Sequence, residues 1–170
     1  MNQIEVEFVK YEFAKLSFME CAEYLDLYEK GLPLFTNKPF AFKRAISKSF
    51  VITYARPFTN NNSVDGKGVG TISTKWVKTL PGAQRKLHEL LIGEGRNSLV
   101  AHIDISKLKP NVWVKEGAHN DYVFDWVLPM ISENNLADLR ELVSTAYKFC
   151  HEHQQKIKTK LGTCHIIPRA

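Results

Sequence analysis

The sequence predicts an all-α protein, an antiparallel four-helix bundle with one long loop and one small β-hairpin excursion between its helices. Apolar residues recur at steps of three and four in four stretches of the chain, as the buried face of an amphipathic helix requires. A segment rich in Asn and Gly separates the second stretch from the third, and a β-like segment separates the third from the fourth. Helix-length apolar faces of this kind are buried when helices pack on one another, which favours a bundle.

The length and composition of the chain fit one domain. Its 170 residues, 44% of them hydrophobic, suffice for one substantial core but not comfortably for two, so we expect residues 1–170 to form a single domain. We find neither a signal-peptide pattern nor an apolar run of the roughly 18 to 20 residues that cross a bilayer. The three cysteines are far apart and odd in number, which predicts reduced thiols in a cytoplasmic protein.

The overall charge is basic. Lysine and arginine number 23 against 18 acidic residues, which gives a formal net charge of +5 and a pI near 9.1. A basic surface raises the rate of encounter with polyanions such as nucleic acids. The charge permits such a partner but does not require one.

The first helical pattern extends from about Phe8 to Lys30, and Gly31 and Pro33 end it. Upstream, residues 4–8 alternate between apolar and acidic, which suits either a short strand or an earlier start of the same helix. We favour the helix. Its apolar face is expected to be core and consists of Tyr11, Ala14, Phe18, Cys21, Leu25 and Tyr28.

The second helix has a suitable N-cap in Asn37, with Pro39 just inside its first turn. Pro57 disfavours helical geometry in the residue before it, so the helix should stop near Arg56. At that position Arg56 lies beside the following loop and is predicted to bind a substrate phosphate. The alternative is a cation that only stabilises the C-terminal end of the helix dipole.

The segment from Thr59 to Lys78 is predicted to be a loop, because it is rich in Asn and Gly and lacks helical spacing. The third helix is predicted to begin near Pro81 and to continue to about Ile103. Gly93 and Gly95 each cost roughly 1 kcal/mol relative to alanine inside a helix. They indicate either a kink or the close approach of another backbone.

The segment from Lys109 to Pro129 is predicted to contain a hairpin, with its turn at Gly117 to Asp121. The fourth helix is then predicted to run from Ser132, as its N-cap, to a stop at Gly162. Its last turns carry a set of lysines that we expect to be mostly solvated, namely Lys156, Lys158 and Lys160.

A dense set of polar residues follows the apolar anchor of the third helix. In the stretch from Leu87 to Asp104, Arg96, Asn97 and His102 lie within seven residues. An arginine can stabilise a phosphate, an asparagine can orient a ligand and a histidine can move a proton, and none of these steps requires a metal. The pattern R-N-x-x-x-x-H on a helix of a small helical protein resembles the signature of the HEPN family.

The HEPN resemblance implies an HEPN-like helical bundle and an RNA substrate. The family includes metal-independent ribonucleases, many of them toxins or defence proteins, beside members that only bind nucleotides or proteins. We therefore expect a metal-independent endoribonuclease that uses the 2′-hydroxyl of the RNA, with Arg96, Asn97 and His102 as catalytic residues and with no cofactor, metal or membrane partner. A cognate antitoxin protein is a possible further partner. The alternative is a non-catalytic HEPN-like module that binds a nucleotide or a protein.

The spacing of Arg96 and His102 bears on the oligomeric state. On one regular helix six residues separate two side chains by about 120° in direction and about 9 Å in height. The two can meet at one phosphate if the helix bends between them, or if two copies of the motif meet across a two-fold axis. The second arrangement is what the HEPN resemblance implies, so we expect a homodimer with a composite cleft. Gly95 and Ser98 are small enough to permit close approach there.

Overall fold

The computed structural model describes residues 3–31, 39–59, 70–93 and 131–161, and these ranges are helical almost throughout. They contain four α-helices and two short 3₁₀ helices and no strand, so the predicted all-α class is confirmed for this part of the chain. The α-helices are α1 (Gln3–Lys30), α2 (Pro39–Ala55), α3 (Gly82–Leu90) and α4 (Leu136–Leu161). The 3₁₀ helices are η1 (Arg56–Phe58) and η2 (Lys75–Thr79). None of the described helices is both long and apolar enough to span a bilayer.

α1 is the central helix, and both α2 and α4 pack against it. Near the middle of α1, the ring of Phe18 lies 5.6 Å from that of Tyr54, which is at the end of α2. Near its end, the ring of Tyr28 lies 5.1 Å from the ammonium of Lys43, which is at the start of α2. α2 therefore runs antiparallel to α1. α4 does so too, because its residue Arg140 contacts the end of α1 and its later residues contact the beginning.

The buried face of α1 is the one predicted from its periodicity. All six predicted core residues of this helix are at most 5% exposed, with Ser17 buried beside them. The helix begins at Gln3, so residues 4–8 belong to it and the strand alternative is wrong. It ends where Gly31 meets the first turn of α2. A Cβ at Gly31 would lie 2.9 Å from Cζ of Phe42 and 2.5 Å from the carbonyl oxygen of Leu27, so only glycine fits there.

One hydrophobic core joins all four α-helices and η2. Its members from the α-helices and the turn after α3 include Tyr11, Leu25, Leu91, Leu139, Val143 and Ala146, which are all buried. Ile46 and Leu87 are partly buried and pack against this core, and Phe42 is partly buried next to Gly31. Cys21 and Cys150 are fully buried free thiols, and burial raises the pKa of the Cys150 thiol to about 12.

Polar contacts tie α1 to α4 at two levels. Near the end of α1, the guanidinium of Arg140 donates to Asp26 at 2.6 Å and to Glu29 at 2.8 Å. Near its beginning, the amide of Gln154 donates to Glu12 and accepts a hydrogen bond from Lys15, whose ammonium also binds Glu12. Partly exposed ion pairs of this kind contribute at most about 1 kcal/mol each, so they set the register of the two helices more than they stabilise the fold.

Two predicted boundaries differ from the structure, and the predicted end of the third helix near Ile103 lies outside the described residues. Within the predicted loop, residues 75–79 form η2, because Trp76 and Val77 turn inward to the core. The fourth helix begins at Leu136 rather than after Ser132, since residues 133–135 form a turn in which the side chain of Asn135 accepts the N–H of Ser132 at 2.8 Å. The regular part of α3 ends at Leu90 and is followed by a π-helical turn at 91–93.

Candidate functional site

The predicted catalytic residues Arg96, Asn97 and His102 lie outside the described residues, as do the predicted hairpin and Cys164. Their arrangement therefore stays a prediction. What the structure describes is the segment that leads into them, from Gly70 to Gly93, and the one other predicted site residue, Arg56.

Arg56 lies on η1, directly after α2, and its side chain is 41% exposed. Its guanidinium donates to Oε2 of Glu20 on α1 at 2.8 Å. The other carboxylate oxygen of Glu20 accepts a hydrogen bond from the hydroxyl of Tyr24 at 2.7 Å, and this bond raises the pKa of Tyr24. A phosphate that approached Arg56 would have to compete with this carboxylate.

α3 buries one face and exposes the other. Gln84, His88 and Leu91 recur at the four- and three-residue steps of a helix, and each is at most 6% exposed. Leu91 lies in the π-helical turn at 91–93, where the described segment ends, three positions before Arg96. Single π-helical turns occur often near functional sites. The described part of α3 is thus a helix fixed in the core that leads in sequence into the R-N-x-x-x-x-H motif.

A buried tyrosine–histidine pair anchors α3 to α2. Oη of Tyr54 and Nδ1 of His88 are 2.9 Å apart and hydrogen-bonded. Burial lowers the pKa of His88 to about 4 and raises that of Tyr54 well above its usual value, so both groups are neutral at pH 7. Phe58 and Trp76 meet the imidazole edge to face, with ring centroids 5.0 and 5.7 Å away.

No sequence pattern assigned a role to His88. It precedes Leu91 by three positions and follows Gln84 by four, so the helical period could have placed it on the buried face. Its surroundings leave it 6% exposed and a weak base, which suits a structural anchor and not a catalytic histidine working at neutral pH. Its effect on the motif is to hold the preceding helix in place.

The solvent side of η2 and α3 carries four cations. Lys75, Lys78, Arg85 and Lys86 are all exposed, whereas Glu89 is the one acidic residue between positions 70 and 93. Nη2 of Arg85 donates to the carbonyl oxygens of Lys78 and Leu80, at 3.0 and 3.1 Å. These bonds fasten α3 onto the end of η2 and hold the guanidinium at the backbone of Lys78 and Leu80.

The described residues contain no cluster of side chains that could bind a metal ion. Among the described residues, no three His, Cys, Asp or Glu side chains come together as a metal would require. His151 and His153 of α4 each lie against an aromatic ring instead, of Tyr147 and Phe149.

Comparison with known proteins adds no family to this picture. No protein-family model, no curated protein and no solved structure matches the chain.

Proposed function

We propose that the protein is a metal-independent endoribonuclease with an HEPN-like four-helix bundle, and that Arg96, Asn97 and His102 are its catalytic residues. The observation that carries the proposal is the placement of α3. This helix is anchored in the core through His88 and Leu91, exposes cationic side chains to solvent, and continues in sequence into the R-N-x-x-x-x-H motif. A fixed basic helix before the motif suits a reaction at a phosphodiester.

The reaction follows from the residue types. The 2′-oxygen of the RNA attacks the adjacent phosphorus, a new O2′–P bond forms and the P–O5′ bond breaks. The products are a 2′,3′-cyclic phosphate and a free 5′-hydroxyl. His102 takes the 2′-proton or delivers a proton to the leaving 5′-oxygen. Arg96 neutralises charge on the phosphoryl oxygens, and Asn97 orients the phosphate or the imidazole.

Arg56 is proposed as a peripheral contact to the substrate. Its guanidinium is partly exposed, but it already donates from Nη1 to the carboxylate of Glu20. An RNA phosphate would share or displace that carboxylate, so the contribution of Arg56 to binding should be smaller than that of an arginine without such a neighbour. The cellular role we propose is that of a toxin or defence component in the cytoplasm, with a cognate antitoxin as protein partner.

The test is cleavage of RNA by the purified protein in the presence of EDTA. Wild type should cleave and leave 2′,3′-cyclic phosphate or its hydrolysed form, while His102→Ala and Arg96→Ala should each abolish cleavage with little change in melting temperature. Asn97→Ala should reduce cleavage less, because charge and proton transfer remain. His151→Ala, which removes an exposed histidine of α4, is the matched control and should cleave like wild type.

Two outcomes would overturn the ribonuclease proposal. One is loss of cleavage when EDTA is added, and the other is a His102→Ala protein that cleaves at the wild-type rate. If the protein instead binds RNA without cleaving it, it is a non-catalytic binding module that uses the proposed site at Arg96, Asn97 and His102.

A further inference from the structure

We infer that the exposed side of η2 and α3, defined by Lys75, Lys78, Arg85 and Lys86 and here called the η2–α3 surface, binds the phosphate backbone of single-stranded nucleic acid without reading its sequence. The inference rests on the proposed function in taking RNA as the natural partner. It adds the place where the strand is held, outside the Arg96 to His102 motif.

Lys75 and Lys78 lie on η2, a 3₁₀ helix of five residues. In a 3₁₀ helix residues three apart eclipse each other, so Lys75 and Lys78 project from the same side, about 6 Å apart along the axis. On the opposite side Trp76 and Val77 are buried, and the ring of Trp76 packs against Phe58 and Phe149. The two lysines therefore extend from a backbone that the core fixes, and their long side chains can reach separate phosphates of one strand.

Arg85 extends this row of charge onto α3. One of its terminal nitrogens is held by the carbonyl oxygens of Lys78 and Leu80, which uses part of the five-donor guanidinium and fixes its plane. The remaining donors can bind a phosphate oxygen. Because the side chain is already ordered by these bonds, it should lose less conformational entropy when it binds. Lys86 follows at the next position, also exposed.

Ion pairs with carboxylates occupy five basic residues elsewhere in the described ranges, but none on this surface; the exposed lysines of α4, Lys156, Lys158 and Lys160, also have no carboxylate within 4 Å there and serve below as the control. Lys10, Lys15, Lys30, Arg56 and Arg140 all lie within 4 Å of a carboxylate, mostly on α1, which carries seven acidic residues and three lysines. Within the described ranges none of the four cations of the η2–α3 surface has such a carboxylate. No carboxylate of the described residues therefore pairs with their charge, and the acidic helix α1 repels a polyanion from its own side.

Residues 70–93 expose no aromatic ring on which a base could stack, which indicates that this surface binds the phosphates. Between residues 70 and 93 the ring side chains are Trp76 and His88, and both are 6% exposed. Bases therefore have no aromatic face to stack on in this segment, whereas proteins that hold bases present exposed rings. Contacts at the η2–α3 surface are left to the phosphates, which carry no sequence information.

The test uses a single-stranded DNA oligonucleotide of about 16 nucleotides, the upper end of the range that one OB fold occupies. DNA presents the same phosphates but has no 2′-hydroxyl, so it cannot be cleaved by the proposed reaction. Binding of wild type is compared with that of the triple variant Lys75→Gln, Lys78→Gln, Lys86→Gln by fluorescence anisotropy, between about 50 and 200 mM salt. The control is the triple variant Lys156→Gln, Lys158→Gln, Lys160→Gln, which removes the same charge from exposed positions of α4.

Wild type should bind with a steep dependence on salt and with the same affinity for mixed and homopolymeric sequences. The η2–α3 variant should bind roughly tenfold or more weakly, and the slope of log K against log salt should shrink by about 2, since each lost contact removes about 0.7. The α4 variant should keep the wild-type slope.

Three results would overturn the inference: no binding by wild type, an unchanged slope in the η2–α3 variant, or an equal loss in the α4 variant, which would reduce the effect to net charge. Each is separate from failure of the ribonuclease proposal. A protein that binds the DNA through this surface but never cleaves RNA would refute the catalysis and keep the binding site.

Discussion

The burial of His88, beside Tyr54, determines how this residue makes the stability of the protein depend on acid. The imidazole is 6% exposed, rings surround it, and its pKa is lowered from 6.5 to about 4 because burial disfavours the charged form. Unfolding releases His88 into water, where its pKa returns to about 6.5. The folded state therefore binds the proton less readily than the unfolded state between these two values.

The consequence is a loss of stability on acidification. The stabilising contribution of a neutral His88 is fully present above about pH 6.5, and it falls as the pH decreases toward 4. At pH 4.5 the loss from this residue alone should be about 2 kcal/mol relative to pH 7. Urea unfolding of wild type and His88→Gln at the two pH values measures it, because the variant lacks this term.

The comparison has an internal control in His151→Gln, an exposed position on α4, which should keep the wild-type difference between pH 7 and pH 4.5. Equal acid sensitivity of His88→Gln and wild type would mean that His88 is not held neutral in the folded protein.

At the scale of the element, α3 is the helix whose packing matters most for the proposed site. Leu91 is 1% exposed and belongs to the common core, although it lies beyond the last regular α-helical turn. Leu91→Ala should lower the free energy of unfolding by roughly 2 to 5 kcal/mol, because the core loses apolar contacts and gains a cavity. Chemical denaturation provides the measurement.

Glu89→Ala is the matched control for Leu91→Ala, since it truncates an exposed residue two positions earlier. Its effect should stay within about 0.5 kcal/mol. A loss that small for Leu91→Ala would show that this side chain does not help to fix the end of α3.

The helices differ in how much of them the sequence can predict. The face of α1 follows from its periodicity, because a helix of 28 residues repeats its apolar step often enough to define one side. η2 has only five residues, too few to show a helical period. Trp76, which the structure buries, was therefore assigned to a loop. The start of α4 was predicted at Ser132, a favourable N-cap, but the helix begins at Leu136, after Asn135, whose carbonyl accepts the N–H of Leu139.

The site is less predictable than the fold because its contacts join residues far apart in sequence. The motif was found as a local pattern, and its geometry remains a prediction. The ion pair of Arg56 with Glu20 spans 36 positions and the bond between Tyr54 and His88 spans 34, so neither leaves a local pattern. The basic residues of η2 and α3 are visible in the sequence. Their exposure on a common side is not, because it depends on Trp76 being buried.

At the scale of the whole molecule, the proposed site depends on the oligomeric state. We expect a two-fold homodimer that brings both copies of Arg96 and His102 to one cleft, because the two side chains are poorly placed to meet on one regular helix. Light scattering at tens of micromolar should then give twice the 19.5 kDa of one chain. A strict monomer would remove the composite cleft and favour the binding-module alternative.

The central position of α1 also determines when the protein can fold during its synthesis. Glu12 of α1 and Gln154 of α4 bind each other across 142 positions of the chain. At about 5 to 20 residues per second, a ribosome needs roughly 7 to 30 s to make the polypeptide between them. During that interval α1 can pack on α2 once α2 is made but lacks α4, so part of its apolar face stays exposed to solvent until the fourth helix leaves the exit tunnel.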